Sequence, residues 1–177
     1  MTRAAGRAPH PPAVAAMTPP PVVRFVPFAR ADYEAWLAQA IPAYALDHVR
    51  DGQWTVAESV GRSAEAHALL LPQGESTPGH TFVRLRVPGE DADAGHLWWA
   101  EVEAGGRTGA YVYGIEVAEH ARRRGVARAA FAELERVARA RGLRFVSLHV
   151  FGHNVAARRL YEELGFAPTN ITMRKEL

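Results

Sequence analysis

Three arginines, a glycine and two apolar residues, Arg122-Arg123-Arg124-Gly125-Val126-Ala127, join an apolar run at Tyr111–Val117 to a stretch of helical periodicity. In that stretch Ala127, Ala130, Phe131, Leu134, Val137 and Ala138 fall on one face, and Gly142 follows its end. The six residues therefore link a buried strand to the start of an amphipathic helix. A helix start carries unpaired N–H groups and the positive end of the macrodipole. Gly125 and Ala127 let a ligand approach the backbone, and Arg122, Arg123, Arg124 and Arg128 add positive charge. Together these make an anion site suited to a pyrophosphate. The same arginines also suit an ordinary solvated helix start, and the stretch alone does not choose.

The rest of the chain supplies the context. At 177 residues, 48% of them apolar, one globular domain with a good core is expected over residues 22–177. Residues 1–21 are rich in Ala, Pro and Arg, lack the apolar centre of a signal peptide, and are expected to form a disordered tail. There is no cysteine, which excludes disulfides and thiolate chemistry. The net charge of +2 comes from interspersed acids and bases, and no apolar run reaches membrane-spanning length. The arginine cluster lacks interleaved aromatics and a recognition element, so neither nucleic acid nor membrane is an expected partner. A cytoplasmic location is expected, and a homodimer is left open.

Strands are expected at Val22–Phe28, Thr81–Val87, His96–Val102, Tyr111–Val117 and Leu143–Phe151, with Phe166 and the Ile171–Leu177 run closing the sheet. Asp32 is placed to cap a first helix, with Tyr33, Trp36, Leu37, Ala40, Ile41 and Tyr44 inward. Thr55 and Glu58 form a capping box for a second helix with Val60, Ala64, Ala68 and Leu71 inward. Short Gly-containing turns imply an antiparallel meander up to Val117. The long helix after Gly125 then makes the next strand parallel. A last helix runs from Asn154 to Leu164.

Three motifs in this order carry a resemblance. The strand to Val117 leads into R-x-x-G-x-A at Arg122, Gly125 and Ala127. Asn154, Ala157, Leu160 and Tyr161 precede Gly165-Phe166, and Asn170–Met173 with Lys175 closes the chain. Over residues 22–177 the sequence resembles the GNAT superfamily of acetyl-CoA-dependent N-acetyltransferases. The resemblance implies an α/β fold. Its central sheet is mixed but mostly antiparallel, has 6–7 strands and carries helices on both faces. It is splayed between the parallel strands that end at Val117 and near Phe151.

The resemblance also implies acetyl transfer from acetyl-CoA to an amine-bearing acceptor by direct attack in a ternary complex. A CoA-binding module without turnover is the alternative. The pyrophosphate would sit on Arg122, Arg123, Arg124, Gly125, Val126 and Ala127. The pantetheine would pair with the backbone at Ile115 and Val117, and Asn154 would contact the cofactor. Tyr161 matches the family's general acid. The base position, four residues before Val117, holds Tyr113 here instead of Glu or His. Glu116 is the first candidate for the base, although strict alternation puts it opposite Tyr111 and Tyr113, so that a bulge would be needed. His149 and His153 are alternates. Tyr33, Trp36, Tyr44, Trp54, Phe82, Trp98 and Trp99 are available for the acceptor pocket. Glu34, Asp47, Glu58 and Glu75 are available for a cationic acceptor.

Overall fold

The computed structural model describes residues 21–175 and residue 177, so the expected tail lies outside the described residues up to position 20. The strands are β1 (Arg24–Pro27), β2 (His80–Arg86), β3 (Gly95–Ala104), β4 (Arg107–Val117) and β5 (Val146–Leu148). The helices are α1 (Arg30–Arg50), α2 (Val56–Leu70), α3 (Val126–Ala140) and α4 (Val155–Glu163). One sheet holds the strands in sequence order. The pairs β1–β2, β2–β3 and β3–β4 are antiparallel, and β4–β5 is parallel after the α3 crossover.

Helices cover both faces. On one, Phe131 and Leu134 of α3 bury against Leu85, Leu97 and Trp99, with Tyr161 and Leu164 packed alongside. On the other, Tyr33, Trp36 and Leu37 of α1 and Leu70 of α2 pack on Phe82 and Trp98. Successive side chains of a strand face opposite ways, which sends the adjacent Trp98 and Trp99 into different cores. The Asp32 carboxylate accepts from the Ala29 N–H at 2.7 Å, so it caps α1 from inside its first turn rather than from the cap position. The Glu58 carboxylate accepts from the Thr55 N–H at 3.0 Å, as the box at the start of α2 requires.

Three expectations need correction. Among the described residues the sheet has five strands, not 6–7. The terminal run does not close it: Ile171 and Met173 are 73% and 90% exposed and in no strand. Period-two alternation needs an edge to pair with, and β5 offers only three residues. The Leu143–Phe151 strand shrinks to β5 because β4 and β5 separate beyond the Val112–Leu148 pair.

Helix α2 is also turned from its expected phase. Its inward face is Ser59, Ser63 and His67, whereas Val60 is 55% exposed. The Ser63 hydroxyl donates to the Ile41 carbonyl at 2.7 Å. A small polar face lets α1 and α2 approach closely, and that contact outweighs burial of the valine.

Gly95 fixes where β3 meets the end of β4. Its φ is +148°, and a Cβ there would lie 2.0 Å from the Glu116 carbonyl oxygen. Gly95→Ala combines an unfavourable φ with a clash against backbone. A loss of about 3 kcal/mol or more is expected, seen as a melting temperature lower by roughly 6 °C or more. An unchanged thermal transition would show that the strand end yields freely.

Candidate active site

The parallel pairing of β4 with β5 spans only Ala110–Val112 against Val146–Leu148. Beyond it the strands diverge, and Tyr113–Val117 keep one edge without a β5 partner. A cleft of about 690 Å³ opens here, bounded by α1, α2, β3, β4, the segment after β5 and α4. Free strand N–H and C=O groups seek partners, so this edge of β4 is chemically ready for an extended, amide-containing ligand.

One irregularity sets what faces the cleft. Trp98 opposes Gly114 and Trp99 opposes Val112, which leaves Tyr113 as an extra, bulged residue. The bulge changes the phase of the strand. Tyr111 opposes Ala100 and Glu116 opposes His96, so both share the face of Trp98. Ile115 and Val117 turn to the α3 side and pack on the larger core. Glu116 therefore lines the cleft at its outer end, 59% exposed and 3.9 Å from His96 Nε2.

The arginine-rich stretch sits where β4 runs out. Gly125 caps α3 with φ +81°, and Arg123 has φ +62°. The left-handed geometry turns the chain sharply, and α3 starts at Val126. The arginines divide their work. Arg122 Nε donates to the Val117 carbonyl at 3.0 Å and holds the turn to the strand. Arg124 pairs with Glu90 of the β2–β3 loop, and Arg128 with Glu163 of α4.

Helix α4 brings two further residues. Asn154 Oδ1 accepts from the Ala157 N–H at 3.1 Å, an N-cap that spends its oxygen on its own helix. The Tyr161 ring packs at 5.5 Å from Phe131 and lines the cleft, and burial pushes its phenol above the ordinary range. A phenol held protonated at neutral pH is a proton donor.

Aromatic rings form the α1–α2 side. Trp98 stacks on Tyr113 at 4.5 Å and meets Trp36 edge-on at 5.2 Å, while Tyr111 meets Tyr113 at 4.7 Å. The Trp98 indole N–H donates to His80 Nδ1 at 3.0 Å. Trp36, Tyr44 and Trp98 line the cleft; Tyr33 and Phe82 are buried behind them. Trp99 lies in the other core, and Trp54 stacks on His48.

Of the four acids considered for a cationic acceptor, Asp47 reaches the cleft. Glu34 pairs with Arg30, Glu58 caps α2 and Glu75 lies 3.8 Å from Arg30. His149 lines the cleft, whereas His153 stacks on Phe151 and faces Asp47 at 3.4 Å. His67 also lines it, on a face of α2 that apolar periodicity had turned away. Its signal was the i, i+4, i+8 row Ser59, Ser63, His67.

Residues 44–166 match the acetyltransferase (GNAT) family. The chain belongs to that family. An uncharacterized N-acetyltransferase of Bacillus subtilis, YycN, is 33% identical over 155 residues, spanning 88% of this chain and 99% of that one. The crystal structure of YycN superposes with a TM-score of 0.83. A second uncharacterized N-acetyltransferase of B. subtilis, YdgE, is 31% identical over 146 residues, 82% of this chain and 92% of that one.

The electrostatics of this GNAT cleft make its stability depend on pH. Burial holds His96 below the ordinary imidazole range, with Glu116 pulling the other way, and burial lowers His80 too. The unfolded chain then takes up protons more readily than the folded one, so stability rises with pH. The loss should begin as pH falls below about 6.5. Melting temperature is expected to drop between about pH 7 and 5, ahead of carboxylate titration, and His96→Gln should flatten the slope. An equal slope in the variant would place the loss elsewhere.

Proposed function

We propose that this GNAT protein moves an acetyl group from acetyl-CoA to a primary amine by direct attack in a ternary complex. The observation that carries it is that an unpaired β4 edge and the Tyr161 phenol share one cleft, while the arginine turn and the helix N-terminus at Gly125 sit at the end of that same strand. The pyrophosphate rests on the N–H groups of Arg124 to Ala127, with Arg122 and Arg123 beside it. The pantetheine amides pair with the backbone at Ile115 and Val117. Asn154 keeps its amide N–H groups for the cofactor while its oxygen caps α4. Tyr161 gives its proton to the departing sulfur.

The acceptor enters from the α1–α2 side. Indole and phenol faces hold an ammonium and its apolar body, and Asp47 and Glu116 supply negative charge. Glu116 is more than half exposed and shared with His96, which suits drawing a cation in. Calorimetry should give micromolar acetyl-CoA binding. Thiol release should then depend on an added amine across a panel of phenethylamine, cadaverine, lysine and a peptide with a free N-terminus. Binding without amine-dependent thiol release would instead mean a CoA-binding module without turnover.

A further inference from the structure

An amine reaches an active site as an ammonium ion, since alkyl amines titrate near ~10. A group in the cleft must take a proton before nitrogen can attack. Position 113, where the family resemblance places a base, holds a tyrosine whose phenol burial pushes up. Tyr111 is pushed up likewise. Glu116 stands largely in water at the outer end. The strand therefore offers no sheltered proton acceptor.

Helix α2 does. The His67 ring is 8% exposed yet lines the cleft. Its Nδ1 lies 2.8 Å from the Ser63 carbonyl oxygen, which can only accept. The hydrogen is therefore on Nδ1, and in the neutral ring the lone pair is on Nε2. Trp36 at 6.0 Å, Tyr44 at 5.7 Å and Trp98 at 6.1 Å enclose the ring. Among the described residues no group bonds Nε2, and Nε2 is not among the unpaired side-chain atoms sealed from the surface. One nitrogen is thus anchored to the helix, and the other is free in the same cleft as Tyr161.

We propose that His67 Nε2 accepts the proton of the acceptor ammonium, so that the base of this reaction comes from α2 instead of β4. This rests on the acyl-transfer function given above. The steps balance. R–NH3+ loses one proton to Nε2, which passes it to water. The neutral nitrogen forms its bond to the thioester carbonyl carbon, and the carbon–sulfur bond breaks. Tyr161 gives its proton to the sulfur. The second nitrogen proton leaves as the amide forms and balances the one needed to restore the phenol. The net products are the amide, CoA thiol and one proton.

The surroundings of His67 define the pH test. Of the rings packed on it, from α1 and β3, only Tyr44 titrates, and burial pushes that phenol up. The charged groups elsewhere on the cleft are Asp32 and Asp47 of α1, Arg84 of β2, Asp93 and Glu116. His96 and His149 are its other imidazoles.

The experiment measures amine-dependent thiol release against pH for wild type, His67→Asn and Glu116→Gln, with phenethylamine and cadaverine as acceptors. Asparagine can keep the bond to the Ser63 carbonyl and supplies no base. Circular dichroism and acetyl-CoA affinity within twofold of wild type show that the variant is folded. His67→Asn should lower kcat/KM at neutral pH by about 10²-fold or more. It should also lose the rising acid limb of the wild-type profile, and recover as higher pH frees the amine. Glu116→Gln should keep that limb. A folded His67→Asn with the wild-type profile, a limb lost in Glu116→Gln instead, or a variant too unstable to bind acetyl-CoA would each overturn the proposal. A wild type that releases no thiol with any amine would overturn the acyl-transfer function itself, and the role of His67 with it.

Discussion

Tyr161→Phe is expected to lower kcat by about 10²-fold or more while acetyl-CoA affinity stays within twofold. The substitution removes one hydroxyl and keeps the ring that packs on Phe131 and Phe166. Burial already keeps the phenol protonated, so the wild-type side chain enters each turnover with its proton in place. The contribution develops only as the carbon–sulfur bond breaks, and therefore belongs to kcat and not to KM. A donor whose leaving thiol is more acidic should recover part of the loss, because that thiolate needs the proton less. Stopped-flow thiol release gives both numbers. A variant with wild-type kcat would return Tyr161 to a packing role on α4.

Gly125→Val is expected to weaken acetyl-CoA binding at least tenfold, about 1.4 kcal/mol or more. Two causes act together. A β-branched residue at φ +81° is strained. Its methyl groups would also crowd the N–H groups at the start of α3, the proposed seat of the pyrophosphate. The helix itself should survive, because Val126, Ala130, Phe131 and Leu134 remain buried. Far-UV circular dichroism should stay close to wild type while titration calorimetry shows the loss. Unchanged affinity would mean that the turn is a basic surface and no cradle.

Both variants lie where the sequence was most legible. A strand, a small-residue turn and an amphipathic helix are local features, each announced by its own periodicity or cap. The βαβ connection then follows from chirality and connection length. The active site was less legible wherever a long-range contact set the geometry. On α2 the valines and alanines mark one face, but the Ser63 bond to Ile41 selects another, and His67 came into the cleft with it. On β4 the side of Glu116 depends on an unpaired Tyr113, and a bulge leaves no mark in residue types. Ile171 and Met173 alternate as a strand would, yet pairing also requires an edge of adequate length.

The bulge at Tyr113 makes chain length, as well as side-chain identity, a determinant of cleft polarity. Deleting Tyr113 would remove the bulge and keep Glu116 opposite His96, on the face of Tyr111. With Tyr113 kept and the strand straight, strict alternation would instead turn the carboxylate of Glu116 to the helical core and put the methyl groups of Ile115 in its place. An acidic rim would become an aliphatic one with Glu116 and Ile115 both still present. Related chains one residue shorter at this point can therefore keep the acidic rim on a straight strand, whereas chains of equal length without the bulge would lose it while their aligned side chains look the same. Sequence comparison across this strand has to count residues before it compares them.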